Sequence, residues 1–264
     1  MRSKLFAIFF LIATITFFTK EMYRGVTDIH PEVFREPIQT EISSQDPLTF
    51  NKDGFAYQVT PLYDYDIAGL VVSSQTYNAW YSISRIDRVF PVDVCMIWGE
   101  NVRSGAYQNS DAKFTQDFRF CLFTSSGSKP ILNEGVSNNH LVIQYSTLEK
   151  IAKAISAGDQ VRIKGKLVNV EARPLTEPEK YEPDDLIWDT SVTRTDTGAG
   201  ACETIYVESI EHAEALAAQF NETYGAAYAA AVTSHTSGDE TEQIRNSFNS
   251  GKGRPCHHLK KIAR

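Results

Sequence analysis

Gly158-Asp159-Gln160-Val161-Arg162-Ile163-Lys164-Gly165-Lys166-Leu167-Val168 alternates apolar and polar residues, with Val161, Ile163, Gly165 and Leu167 on one side and Arg162, Lys164 and Lys166 on the other. A period of two is the pattern of a strand half buried in a sheet. The stretch therefore predicts a strand with its basic residues on the open face. Immediately upstream, Ser146 to Ala157 places Leu148, Ile151, Ala152 and Ile155 at the spacing of one helical face, and Gly158 stands where a helix C-terminus favours glycine. A helix leading into a strand is the unit from which the rest of the chain is read.

The Gly-Asp opening and the mid-strand Gly165 look like those of OB-type barrels, where glycine permits a strongly bent strand at a barrel corner. Working outward, Tyr65 to Ser74, Trp80 to Ile86, Val92 to Trp98, Phe114 to Phe123 and Cys202 to Glu208 are rich in Val, Ile, Tyr and Phe and read as further strands. Arg173 to Asp189, with Pro174, Pro178 and Pro183, reads as a surface loop. The expected fold is mainly β (α+β): a compact OB-like or related small β-barrel with one crossing helix, plus a C-terminal helical extension. That extension covers residues 209–232, rich in Ala, Glu and Gln, and a disordered basic tail follows over 233–264.

The ends of the chain differ from its body. Arg2 and Lys4 precede an apolar run from Leu5 to Phe18, and Lys20 restores polarity, which is the order of a signal peptide or signal-anchor over residues 1–20. The run spans only about 21 Å as a helix against a hydrocarbon core of roughly 30 Å, but no small-x-small cleavage site follows it. An inner-membrane, single-pass protein with its domain facing the periplasm or exterior is expected, with secretion after leader cleavage as the alternative. Residues 21–54, with Pro31, Pro37 and Pro47, read as an extended linker to a β-rich domain over 55–208. Net charge is -7 overall, but +3 over residues 1–24 and +5 over 251–264, leaving -15 on the body. So acidic a body repels phosphate backbones, and nucleic acid is excluded as its partner. The expected partners are the membrane, through the N-terminal segment, and an envelope protein.

Three polar stretches are candidate binding surfaces. Thr190 to Glu203 offers Arg194, Asp196 and Glu203 beside Gly198 and Gly200, either as a ligand loop or as a hairpin braced by an Arg194 to Asp196 ion pair. No helix follows its glycines, which argues against a phosphate loop. Ser137-Asn138-Asn139-His140-Leu141 offers a histidine beside two amides, read also as a turn closed by asparagine. Trp98 to Tyr107 places Asn101 and Arg103 between aromatic residues directly after a strand. Cys95 and Cys121 lie in apolar strand segments, and an exported chain permits a disulfide between them, the alternative being two buried thiols. Cys202 with His140 invites a nucleophile and base, oriented by Asn139 or Asp196. Cys256-His257-His258 lacks the paired spacing of a zinc site, so no metal, cofactor or catalytic residue is assigned.

Tyr63 to Ser73, the Trp98 loop, Ser137 to Leu141, the Gly158 strand and Arg194 to Val207 together resemble an uncharacterised group of bacterial proteins, often anchored or exported. The resemblance spans residues 60–208 and implies organisation rather than an activity; the segment Ser209 to Arg264 departs from it. Three functions are carried forward. The first is a membrane-tethered extracytoplasmic binding or scaffold domain using the loops around Trp98, His140 and Arg194. The second is a hydrolase using His140 with Asp196, Cys202 or Glu203, which requires His140 to lie within roughly 8 Å of Asp196 or Cys202. The third is an oligosaccharide-binding barrel with Trp80, Trp98 and Tyr107 as stacking platforms.

Overall fold

The computed structural model describes residues 21–77, 85–117, 119–176, 185–196 and 202–212. It is mainly β, with one large mixed sheet. Strand β3 (Phe55–Thr76) is its spine: the N-terminal strands β1 (Ile38–Glu41) and β2 (Leu48–Lys52) pair with it, and its last third pairs with β4 (Val92–Ile97). Beyond β4 come β7 (Val136–Val142), β10 (Glu203–His212), β8 (Gln160–Pro174) and β9 (Leu186–Trp188). Strand β8 also pairs with β3 along fifteen registered positions, so the ladders run β3, β4, β7, β10, β8 and back to β3. All are antiparallel except β7 with β10. A separate hairpin, β5 (Lys113–Asp117) and β6 (Phe120–Thr124), lies between β4 and β7 in the chain. Among the described residues the α-helices are α1 (Glu100–Arg103) and α2 (Ser146–Ala154), and none there is long and apolar enough to cross a membrane.

The deciding stretch forms β8. Val161, Ile163 and Leu167 enter one core cluster with Tyr65, Ile67, Val92, Val94, Met96, Leu141 and Ile205, and Ala152 and Ile155 from the α2 region close over it. The basic face is not open: Arg162 is paired with Asp66 at 2.5 Å and Lys166 with Asp64 at 2.6 Å, both across from β3. At Leu167 and Val168 two consecutive residues are buried, opposite a register shift between Pro61 and Tyr63 in β3. Pro61 cannot donate to a ladder and is tolerated at such a bulge. Past it, Val168, Val170 and Ala172 face a second cluster with Phe55, Tyr57, Val59, Val89 and Phe90.

Several expectations are corrected. Residues 21–54 are not an extended tether: they form two 3-10 turns and two strands, with Tyr23, Val33 and Phe50 buried. The prolines interrupt periodicity, but isolated apolar residues still cover the sheet's outer face, in a cluster with Leu70, Val72 and Cys95. Arg85 and Ile86 sit in a 3-10 turn, and the remainder of the expected Trp80 strand lies outside the described residues. Phe114 to Phe123 is a hairpin rather than one strand. Helix α2 ends at Ala154, and Gly158 (φ +100°) instead turns the chain into β8, its N–H donating to the Val71 carbonyl. Strand β10 continues through His212, so residues 209–212 are not helical. The anchor, the rest of the helical extension and the basic tail fall outside the described residues.

Gly165 is required by close approach. A Cβ there would meet the Tyr206 carbonyl oxygen at 2.0 Å, a backbone atom that moves only if β8 and β10 part. Gly165→Ala should destabilise the fold by about 3 kcal/mol, at the upper end of overpacking costs, read as a lowered urea midpoint.

Candidate functional site

Asp93 is an acidic residue in the middle of the apolar strand β4, and it is fully buried. Register sets its neighbours: β4 and β7 pair Asp93 with His140, and β7 and β10 pair His140 with Thr204. Directly paired residues share a sheet face, so Asp93, His140 and Thr204 form one row. The adjacent row begins with Cys95 and Asn138 and ends at Cys202, which precedes β10. These rows lie on the face opposite the Val94, Leu141 and Ile205 core.

His140 Nδ1 lies 2.9 Å from Asp93 Oδ1, and Cys202, two residues before the Thr204 that pairs with His140, lies on the same sheet face and close enough to act on the charge of the imidazole. With Nδ1 engaged by the carboxylate, Nε2 is the nitrogen left for sulfur. Burial pulls the His140 pKa down, but hydrogen bonds and charge from Asp93 and Cys202 outweigh it and lift the ring to about 9. Trp188 and Phe90 hold the ring edge-on at 5.0 and 6.3 Å. Asn138 Nδ2 donates to Cys202 Sγ at 3.3 Å and to the Arg119 carbonyl at 2.6 Å. His140 is 1% exposed and Asp93 0%, whereas Cys202 keeps partial access to solvent.

Asp93 has two further partners. Arg119 Nη1 donates to Oδ1 at 3.1 Å and the Tyr77 hydroxyl to Oδ2 at 2.9 Å. Burial, followed by the Asp93 charge, pushes the Tyr77 pKa up, which keeps its hydroxyl a donor. Arg119 has φ +70° and presents its guanidinium to the rings of Tyr77 at 4.2 Å and Phe90 at 5.2 Å. Cys95 and Cys121 are joined by a disulfide that ties β6 to β4 beside this site.

The other face of β10 carries a second polar cluster. Glu203 is buried with the Arg194 guanidinium 3.4 Å away, and Arg194 lies over the rings of Tyr65 and Trp98 at 4.9 and 5.6 Å. Glu203 Oε2, Arg194 Nη2, Tyr65 Oη and Asn139 Oδ1 have no hydrogen-bond partner among the described residues. Burial raises the Glu203 carboxyl to about 7, against the opposing pull of Arg194. The expected Arg194 to Asp196 brace is thus corrected: Arg194 pairs with Glu203, and Asp196 accepts from the Ser191 hydroxyl at 2.5 Å.

Sequence reasoning placed His140 with Cys202 but assigned the orienting residue wrongly. Asp196 is taken by Ser191, Asn139 donates to Val94 and Ser137, and Glu203 points to the opposite face; Asp93 is the residue on Nδ1. Ser137 to Leu141 is the central strand β7, not a turn, and its asparagines serve neighbouring chains. The Trp98 stretch is a structural corner. Trp98 is 0% exposed and donates to Glu36, while Asn101 is buried and holds Leu132 and Gly135. Arg103 is exposed and bound to Glu100 and the Phe34 carbonyl. Tyr107 is buried as well, and Trp80 lies outside the described residues, so Trp98 and Tyr107 present no stacking platform. Asp93, Arg119, Tyr77 and Trp188 were missed. A lone acid within Val92 to Trp98 was a usable signal for Asp93; nothing local marks the other three.

The two shifted groups predict how stability follows pH. Each has a folded pKa above its unfolded value, so each contributes stability below the unfolded pKa that is lost as pH rises through the folded one. Stability should fall by about 3 kcal/mol between pH 4.5 and 7 through Glu203, and by about 3 kcal/mol between 6.5 and 9 through His140. Urea unfolding across this range should show both declines, the first abolished in Glu203→Gln and the second in His140→Gln. No protein-family model matches this chain, and neither a curated protein nor a solved structure does.

Proposed function

We propose that this protein is a membrane-tethered extracytoplasmic domain of OB type whose outer face carries a thiol nucleophile, Cys202, for acyl transfer or hydrolysis. The carrying observation is that β4, β7 and β10 bring Asp93, His140 and Cys202 to one sheet face, with His140 Nδ1 on the carboxylate and the Asn138 amide on the Cys202 sulfur. A nucleophile, a proton carrier and a third group that orients the carrier are the parts such chemistry needs. Support for the OB reading comes from the circuit of ladders, antiparallel except for β7 with β10, with α2 between β7 and β8. In that architecture the second and third strands form the ligand face, and here these are β4 and β7, which carry Asp93, Asn138 and His140. The correspondence with that ligand face is an analogy of fold.

In the proposed reaction Cys202, its proton lost to solvent, attacks an acyl carbonyl as the thiolate, and the protonated His140 gives its Nε2 proton to the leaving group as the carbonyl bond to that group breaks. Asp93 holds the imidazole in the required orientation. The Asn138 N–H directed at sulfur is the donor nearest an oxyanion formed there. Water then attacks the thioester carbonyl and gives a proton to the now neutral His140, the carbon–sulfur bond breaks, and the carboxylic acid departs as Cys202 leaves as a thiolate.

A binding or scaffold role remains the second reading, favoured by the near-complete burial of His140 and Asp93, which suits a network that only braces the sheet. Acylation by p-nitrophenyl acetate, with the modified peptide identified by mass, separates the two. The thiol reading expects stoichiometric acyl-Cys202, none in Cys202→Ser, and a rate lowered about 100-fold in His140→Gln and at least tenfold in folded Asp93→Asn. Turnover should decline above about pH 9 as His140 loses its proton. Acylation at Cys202 no faster than that of a free cysteine, and indifferent to both substitutions, would leave only the scaffold.

A further inference from the structure

The hairpin β5–β6 forms a two-stranded sheet of its own, pairing with no other strand among the described residues. It nevertheless supplies much of what encloses the thiol site. Arg119 reaches Asp93, the Arg119 carbonyl accepts from Asn138, and Gln116 Nε2 donates to Asn138 Oδ1 at 3.3 Å. Gln116 and Cys121 are directly paired in the hairpin, and Cys95 and Asn138 are directly paired in the large sheet. The Cys95 to Cys121 disulfide therefore joins the two layers one register position from the amide that touches Cys202. We propose that this hairpin is a lid over the thiol site, latched by the Cys95–Cys121 disulfide and opened by a dithiol reductant.

The proposal rests on reading Cys202 as the nucleophile for its purpose, but not for its geometry. An isolated two-stranded hairpin is marginal in water, so this one depends on what fastens it to the sheet. It is fastened by the disulfide, by the Arg119 to Asp93 pair and the hydrogen bonds of Arg119 and Gln116 with Asn138, and by the packing of Phe114 and Phe123 in the cluster that includes Tyr23. Only the first is covalent and reversible by electron transfer. In the opening step a thiolate of the reductant attacks one sulfur of the bridge, and the other leaves as a thiolate and takes a proton. The reductant's second thiol then displaces the mixed disulfide. The reductant ends as its own disulfide, two electrons poorer, and Cys95 and Cys121 end as thiols.

Cys202 labelling by a polyethylene glycol maleimide, relative to iodoacetamide, measures the gap that the lid leaves. In Cys95→Ser/Cys121→Ser the bulky reagent should gain about tenfold or more on the small one compared with the oxidised protein, as expected for releasing a local opening. Amide exchange over residues 113–124 should accelerate in parallel. The wild-type chain, reduced with dithiothreitol, desalted and mapped by peptide mass, supplies the same ratio if the double variant does not fold. An unchanged ratio in the reduced protein overturns the lid. The acylation assay keeps the two ideas apart. A shifted labelling ratio without acylation in any form leaves the lid and removes the thiol chemistry, whereas equal acylation in latched and unlatched protein, at an unchanged labelling ratio, does the reverse.

Discussion

The structure is organised around a buried carboxylate. Asp93 lies at 0% exposure in a strand whose other residues are apolar, and removing a carboxylate from water is costly unless charged and hydrogen-bonded partners replace the solvent. Those partners come from three separate places: His140 from the neighbouring strand, Arg119 from the turn of the β5–β6 hairpin, and Tyr77 from the end of β3. None could be supplied locally by a strand in which each neighbouring residue points away. Satisfying Asp93 thus requires the hairpin to fold back over the sheet, and this encloses His140 and Asn138.

The period of two then divides the chemistry. Along the start of β10, Cys202 and Thr204 point to the Asp93 side, while Glu203 and Ile205 point to the core. Two polar clusters one residue apart in sequence are therefore separated by the thickness of the sheet. They are also satisfied differently. Asp93 has three partners within 3.1 Å, whereas among the described residues Glu203 has the Arg194 guanidinium at 3.4 Å and one oxygen without a hydrogen bond, and its carboxyl is raised to about 7. On the Asp93 side, charge is compensated and aimed at a sulfur; on the Glu203 side, Arg194 covers Tyr65 and Trp98 as part of the packing.

Much of the β architecture was legible because it depends on local period: Val161 to Leu167 and Val92 to Ile97 read as strands and are strands. Helix α2 was legible from its apolar spacing, although its end was not, because Gly158 serves the turn that meets Val71. The N-terminal segment was misread since Tyr23, Val33 and Phe50 are too widely separated to show a period; Tyr23 and Val33 are buried by the sheet they cover, and Phe50 by the β3 strand it pairs with. Ser137 to Leu141 was misread for the opposite reason. Two asparagines and a histidine are turn-forming in isolation, and only the carbonyl of Val94 and the carboxylate of Asp93 make them residues of a buried strand. The placing of His140 and Cys202 on one face is a product of the parallel register between β7 and β10, which no local pattern encodes.

That parallel pairing has a further consequence for the site. Parallel strands cannot be joined by a tight turn, so β7 and β10 are separated in the chain by α2, β8 and β9, and Cys202 reaches His140 only after those elements are in place. Trp188 from β9 illustrates the dependence: its ring packs against His140, and its indole N–H donates to Thr204 in the strand that follows Cys202. One side chain thus fixes the imidazole and the strand bearing the thiol against each other. The alignment of Cys202 with His140 is in this sense a property of the completed sheet, assembled from residues remote in sequence and held to register by ladder hydrogen bonds, while the alignment of His140 with Asp93 begins with the direct β4 to β7 pairing. A perturbation of the Gly165 contact between β8 and β10 therefore reaches the thiol directly through β10, and the imidazole through the Trp188 bridge to Thr204.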